Sequence, residues 1–262
     1  MDLQLTGKRV LVTGASKGIG LAIVRAFVAE GASVTAVSRT STPELEATGA
    51  SFVAADLAEA DGPRRMVQAV LATDPRLDVL VNNAGGGTMS EGSFTDPLDG
   101  GDDDWTRTFA LNLDATVRST RAALPALIEA RGAVVNISSD SALRPGAAPL
   151  PYSTAKAALN AFSRGLAEKV AAQGVRVNVV TPSGTRTDLM ESKDGFAAQL
   201  AEHLGIDHAA LLASMPGQSG MLTGTLIEPD EIARAVLLLS SPTMPSTIGA
   251  NWRIDAGATK SV

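Results

Sequence analysis

The chain has 262 residues, 45% of them hydrophobic, with a net charge of −6 and no cysteine. That length and composition suit one large α/β domain, expected to span 1–262 with no linker or internal repeat. The acidic balance argues against a nucleic-acid partner. The lack of cysteine excludes disulfides, thiolate nucleophiles and cysteine zinc sites, and no run approaches the ~18 apolar residues of a membrane span.

The N-terminal MDLQLTGKRVLV lacks the charged leader, apolar core and cleavage site of a secretory signal, so a cytoplasmic location is expected. Residues 8–13 form a β-branched run between Gly7 and Gly14, a buried-strand signal. Thr13-Gly14-Ala15-Ser16-Lys17-Gly18-Ile19-Gly20 follows, and then Ile19, Ala22, Ile23, Ala26 and Phe27 keep the spacing of an amphipathic helix. A glycine-rich turn between strand and helix lets backbone N–H groups approach a pyrophosphate. Its G-x-x-x-G-x-G spacing is wider at the front than G-x-G-x-x-G.

The second strand is expected at 32–38. At its end a dinucleotide site meets the adenosine ribose, where an acid would bind the 2′-hydroxyl. Here stand Ser38, Arg39 and Thr40, and Lys17 lies in the glycine turn. Cations without a carboxylate favour NADP(H), with NAD(H) as the alternative. The third strand is 51–56. Asp56, with Leu57 beside it, is a candidate for the adenine amino group, although Asp56-Leu57-Ala58-Glu59 also reads as a helix N-cap with a capping box.

The fourth strand, 78–81, leads into Asn82-Asn83-Ala84-Gly85-Gly86-Gly87. Small residues at a strand's carboxyl end permit a ligand close to backbone. Residues 88–104 read as a loop whose acids, Asp99 and Asp102 to Asp104, are solvated. Residues 105–131 read as a helix kinked at Pro125, with Asn112 solvated or bonded to nearby backbone. The fifth strand, 133–137, ends at Ser138 and Ser139. A helix over 152–173 carries Ala155, Ala158, Leu159, Phe162 and Leu166 on one stripe. The sixth strand, 175–180, precedes Thr181-Pro182-Ser183-Gly184-Thr185. Periodicity weakens over 183–228, a segment read either as a substrate lid or as a peripheral helical pair. A helix over 229–240 and a seventh strand over 251–254 close the chain. Alternating strands and helices imply right-handed βαβ units: a Rossmann-like, doubly wound three-layer αβα sandwich with a seven-stranded, mainly parallel sheet.

Tyr152 is the only tyrosine, and Lys156 lies one helical turn beyond it. The ammonium is therefore expected to lower the phenol's pKa. Ser139 sits at a strand's carboxyl end, where open α/β sheets bind ligands. His203 and His208 are read as surface residues, and no metal site is expected.

Taken together, TGASKGIG (13–20), NNAG (82–85), Asn112, NISS (136–139), Tyr152-Ser153-Thr154-Ala155-Lys156 and the proline turn resemble the single-domain short-chain dehydrogenases/reductases. The resemblance spans essentially the whole chain. It implies that Tyr152 protonates a carbonyl oxygen and that Lys156 lowers its pKa and binds the nicotinamide ribose. It further implies that Ser139 donates to the substrate oxygen, with Ser138 its rival, and that Asn112 holds a water linking Lys156 to solvent. Gly14, Ser16, Lys17, Gly18, Ile19, Gly20, Ser38, Arg39, Asp56, Leu57, Asn83, Ala84, Gly85, Tyr152, Lys156, Pro182, Gly184, Thr185 and Thr187 would contact the cofactor.

Three positions depart from the family pattern: Ser183 in place of glycine after the proline, Ala115 in place of a glycine after Asn112, and Asp255-Ala256-Gly257 for Asp-Gly-Gly. The first bears on the nicotinamide end, and the others are read as packing changes. The expected activity is NADP(H)-dependent interconversion of a ketone and a secondary alcohol. The expected substrate is a small, neutral, moderately apolar carbonyl compound contacted from 86–98, 140–151 and 183–222. A homotetramer or homodimer is expected from the resemblance. The alternatives are a nucleotide-sensing protein on the same fold without turnover, an NAD(H)-dependent alcohol dehydrogenase, and a sugar-nucleotide epimerase or dehydratase.

Overall fold

The computed structural model describes residues 1–86, 96 and 98–260. Seven strands form one sheet: β1 (Arg9–Thr13), β2 (Ser33–Ser38), β3 (Ser51–Ala54), β4 (Val79–Asn82), β5 (Ala133–Ile137), β6 (Arg176–Pro182) and β7 (Asn251–Ile254). Their order is β3-β2-β1-β4-β5-β6-β7, and every pairing is parallel. The sheet is thus wholly rather than mainly parallel.

Alternation along each strand divides the core between two layers. From β1, Val10 and Val12 face one side, and Leu11 faces the other. The first side packs Ile23 and Phe27 of α1 (Gly18–Ala29) and Ile232, Val236 and Leu239 of α10 (Pro229–Ser240). The second packs Met66, Val67 and Val70 of α3 (Gly62–Thr73), Leu127 of α5 (Ala115–Ala130) and Val170 of α6 (Leu150–Val170). Phe27 is fully buried, a burial that contributes about 1.5–3 kcal/mol relative to an exposed ring. A four-residue helix, α2 (Pro43–Glu46), follows β2. No described helix is long and apolar enough to cross a membrane.

Several local expectations are corrected. A helix, α4 (Asp102–Phe109), starts inside the stretch read as a loop, and most of that stretch lies outside the described residues. Its acids are not merely solvated. Asp99 accepts the Leu150 N–H at 2.8 Å, satisfying a free donor of the first turn of α6. Asp104 accepts the Gly101 N–H and pairs with Arg107. The helical stretch is also divided, with a π turn at Ala110–Asp114 between α4 and α5, and Pro125 lies inside α5.

In α6 the buried stripe is Ala155, Lys156, Leu159, Ser163, Ala167 and Val170, while Ala158, Phe162 and Leu166 are half-exposed. Small residues win the inner face because Ser163 must reach Asn136 of β5, to which it is bonded at 2.8 Å. Strand β6 continues through Thr181 to Pro182, opposite Ile254. A proline is tolerated at such a terminal position. The 183–228 segment contains α7 (Asp188–Glu191), α8 (Phe196–Leu204) and α9 (His208–Gln218). Ala197, Ala201 and Leu211 form its small apolar core, with Met190, Leu200, Leu212 and Met215 packed against it. His203 is exposed, but His208 is half-buried, its Nε2 bonded to the Met190 carbonyl oxygen at 2.8 Å.

Candidate active site

Strand order reverses between β1 and β4, and ligands bind open α/β sheets at such a switch point. The crossover sets the glycine turn after β1 beside the Asn83–Gly85 segment after β4. Thr13 Oγ1 accepts the N–H groups of Asn83 and Ala84, each at 3.0 Å. Asn83 Nδ2 donates to the Thr13 and Gly14 carbonyls, also at 3.0 Å. Packing is so close that a Cβ on Gly20 would lie 2.1 Å from the Gly14 oxygen and 2.6 Å from Asn83 Nδ2. A side chain there would fill the cradle.

Helix α1 begins with Lys17 at its N-cap and no side chain capping its first N–H groups. Gly18, Ile19 and Gly20 therefore open a helix whose positive end is available to a phosphate. Thr187 lies over this turn, its Cγ2 3.1 Å from where a Cβ of Gly18 would stand. Thr42 Oγ1 donates to the Ser16 carbonyl at 2.9 Å, tying the loop after β2 to the turn. Ser38 donates to the Thr40 carbonyl within that loop.

The two cations expected beside the ribose differ. Lys17 lies 3.8 Å from Asp188, whereas exposed Arg39 has no ion pair among the described residues. The capping-box reading at 56–59 is corrected: α3 starts at Gly62, and Asp56 instead accepts the Ala58 N–H at 2.9 Å. Leu57 is buried in the second core layer. Residues 57–61 form bends, and Gly62 approaches the Asp56 carbonyl so closely that a built Cβ would lie 1.8 Å from it.

Around the phenol, α6 delivers Tyr152 and Lys156 to the carboxyl end of β5. Lys156 Nζ donates to the Ile137 carbonyl at 2.9 Å and lies 5.7 Å from the centre of the Tyr152 ring. Ser139 accepts from the Ser141 N–H at 3.2 Å and the Ser141 hydroxyl at 3.0 Å. Ser138, the rival serine, is buried, and its hydroxyl finds no hydrogen-bond partner among the described residues.

Asn112 is fully buried, contrary to a solvated reading. In the π turn its Nδ2 reaches the Thr108 carbonyl at 2.9 Å and the Gly86 carbonyl at 2.7 Å, while Oδ1 accepts the Gly86 N–H at 2.9 Å. The side chain thus ties α4 to the segment after β4, a use that suits a π turn at a site. A Cβ on Gly85 would meet Asn112 Oδ1 at 2.9 Å and Lys156 Nζ at 3.0 Å. Gly85 therefore lets these two groups converge on one backbone carbon.

The electrostatics overturn one expectation. Burial pushes the Tyr152 phenol up to about 12, and the facing Ser139 hydroxyl only partly opposes this, while nearby Asp140 adds to it. Burial also pushes the Lys156 ammonium down to about 8. Desolvation is the dominant cause at both groups in the free chain.

At the third wall of the site, Thr185 donates to the Ser183 carbonyl at 2.8 Å, and Ile227 donates to the Gly184 carbonyl at 2.9 Å. Ser183, where the family pattern has glycine, donates to Asp140 at 2.8 Å. Sequence reasoning placed Thr13, Asn82 and Asn136 in its motifs and Asp140 in a substrate-contacting stretch, but gave none of them a role of its own. Asn82 donates to Asn136 at 2.8 Å and to Thr120 at 3.0 Å, crossing β4 to β5 and α5 inside the core. An asparagine amid otherwise apolar strand residues was the available signal.

The sequence matches the short chain dehydrogenase family over residues 8–197. It is 35% identical to an uncharacterized oxidoreductase, YvaG, of Bacillus subtilis, with both proteins covered completely. It is 32% identical to D-threitol dehydrogenase of Mycolicibacterium smegmatis, over 98% of this chain and 95% of that protein. Among solved structures, L-sorbose reductase of Gluconobacter frateurii, in complex with NADPH and L-sorbose, superposes with a TM-score of 0.88 at 29% identity and full coverage of both chains. With its wholly parallel sheet and these relatives, the chain belongs to the short-chain dehydrogenase family of oxidoreductases.

Proposed function

We propose that the protein reduces a small carbonyl compound to the alcohol with NADPH, and that Tyr152 donates the proton. The observation that carries this reading is the convergence of Tyr152, Ser139 and buried Lys156 at the carboxyl end of β5. A bound nicotinamide supplies the hydride. The chain's own residues do the rest. Ser139 donates to the substrate oxygen and fixes it. Tyr152, protonated at neutral pH because its phenol sits at about 12, hands its proton to that oxygen as charge develops on it. Lys156 supplies the positive charge that steadies the phenolate left behind, and Asn112 fixes the backbone against which the ammonium rests. In the reverse direction the same phenolate accepts the alcohol proton.

The cradle fits a dinucleotide: backbone N–H groups at an uncapped helix start, close glycine packing, and Thr187 over the turn. Gly14, Ser16, Gly18, Ile19 and Gly20 would hold its pyrophosphate, and Asn83, Ala84 and Gly85 would lie against it. Pro182, Gly184 and Thr185 would face its nicotinamide end. Arg39, unpaired among the described salt bridges, favours NADP(H), as does the NADPH of the L-sorbose reductase relative. The half-exposed Phe162 and Leu166 on α6 and the exposed Trp252 on β7 suit a homo-oligomer. A cytoplasmic location belongs to the same reading.

The test is NADPH and NADH oxidation against a panel of ketones and aldehydes, with cofactor binding measured calorimetrically. Arg39→Ala should weaken NADPH binding on the order of tenfold to a hundredfold, the worth of a charge-assisted contact, and NADH binding far less. Equal losses for the two cofactors would remove the NADP preference. Cofactor binding without turnover of any carbonyl would favour the sensor reading.

A further inference from the structure

Asp140 is a buried carboxyl that the proton-transfer machinery leaves unused. It follows Ser139 directly, and 11% of its side-chain surface remains accessible. Its two oxygens are employed differently. Oδ2 accepts from the Ser183 hydroxyl at 2.8 Å and from Arg144 Nη1 at 3.3 Å. Arg144 Nη1 in turn donates to the Ser219 carbonyl at 2.8 Å, just past α9, so the carboxyl is held from two sides. Oδ1 meets the Ser139 hydroxyl at 3.5 Å, the outer limit of a hydrogen bond. A carboxyl oxygen has room for two donors, so Oδ1, beside the Ser139 hydroxyl, keeps capacity to spare.

We infer that Asp140 is a specificity residue whose Oδ1 binds a hydroxyl on the carbon next to the reacting carbonyl, making α-hydroxy ketones and the corresponding vicinal diols the preferred substrate class. This rests on the carbonyl-reductase reading above. Ser139 Oγ and Asp140 Oδ1 stand 3.5 Å apart, close enough for one substrate to meet both through oxygens on adjacent carbons. Ser139 then takes the carbonyl oxygen and Asp140 takes its neighbour. A plain ketone would leave Asp140 desolvated beside a methylene, which is a penalty against that substrate. Burial pushes the Asp140 carboxyl up, opposed by Ser183 and Arg144. Either protonation state can pair with a hydroxyl, which both donates and accepts. Ser183 acquires a purpose here, since the glycine of the family pattern has no hydroxyl to orient the carboxyl. On this inference a polar substrate is favoured over the moderately apolar one expected from the sequence.

The experiment compares kcat/KM with NADPH for two pairs: 3-hydroxy-2-butanone against 2-butanone, and 2-hydroxycyclohexanone against cyclohexanone. Wild type should prefer the hydroxylated member on the order of tenfold or more. Asp140→Ala should shrink that ratio by a similar factor, and Asp140→Asn, nearly isosteric and still able to pair with a hydroxyl, should keep part of it. Thermal melts establish that each variant is folded, and the wild-type ratio needs no variant. A wild-type ratio near one, or a ratio unmoved in folded variants, overturns the assignment while leaving the carbonyl-reductase reading intact. Wild type that binds NADPH but reduces neither pair nor any panel carbonyl overturns both.

Discussion

Lys156 is a charged group kept where water would not put it, and replacing it with methionine should stabilise the fold while removing activity. Burial lowers its pKa from 10.5 to about 8. At about 1.36 kcal/mol per pH unit, this drop corresponds to roughly 3 kcal/mol against the charged form in the folded chain. Methionine removes that cost but leaves the Ile137 carbonyl, bonded by Nζ at 2.9 Å, without its donor, at about 1 kcal/mol. The net gain at pH 7 is about 2 kcal/mol, a rise in Tm of about 4–8 °C for a chain of this size. The sign with pH follows from the lowered folded pKa. Below about 8 the lysine is charged in both states and the wild type carries the full cost, whereas above 10.5 it is neutral in both and carries none. The advantage of Lys156→Met should therefore be full at pH 7 and fade between 8 and 10.5. The assay is denaturant unfolding of both proteins at pH 7, 9 and 10.5, with NADPH-dependent reduction measured at pH 7. A variant less stable than wild type at pH 7, or a gain independent of pH, would refute the reasoning.

Two further substitutions test the geometry from opposite directions. Ala256 has a left-handed backbone, φ 51°, where an L side chain costs about 1–2 kcal/mol. Ala256→Gly should therefore stabilise the fold by about 1 kcal/mol after the glycine's own entropy cost, and a destabilised variant in denaturant melts would contradict this. Gly20→Ala places a methyl carbon 2.1 Å from the Gly14 oxygen, so NADPH affinity should fall more than tenfold where a helical alanine would ordinarily help by about 1 kcal/mol. Unchanged calorimetric binding would show that the turn is not the pyrophosphate cradle.

The layered sheet was legible because strand periodicity is local. Each of β1, β4, β5 and β6 is a short run centred on Val, Leu or Ile, and their near-complete burial favours such residues. The glycine turn was legible for the same reason. What escaped depends on partners distant in sequence. The α6 stripe was rotated because Ser163 faces inward to Asn136, 27 residues away. Asp99 looked solvated because its partner, the Leu150 N–H, is 51 residues on. Asn112 is buried in a π turn that no spacing announces. The phenol's raised pKa came from desolvation, which a pair of residues on one helix turn does not reveal. Ser183 was visible as a departure, but its meaning lies in Asp140, 43 residues upstream.

The central claim is that one phenol gives its proton to a carbonyl held beside the cofactor. It is tested most directly by Tyr152→Phe, which removes the hydroxyl and keeps the ring. NADPH oxidation is measured with the best carbonyl substrate of the wild type, alongside NADPH binding by calorimetry. The expected result is retained NADPH binding with turnover reduced by roughly 10²–10⁴-fold, the range of general acid catalysis. Turnover equal to wild type in a variant that still binds NADPH would contradict it.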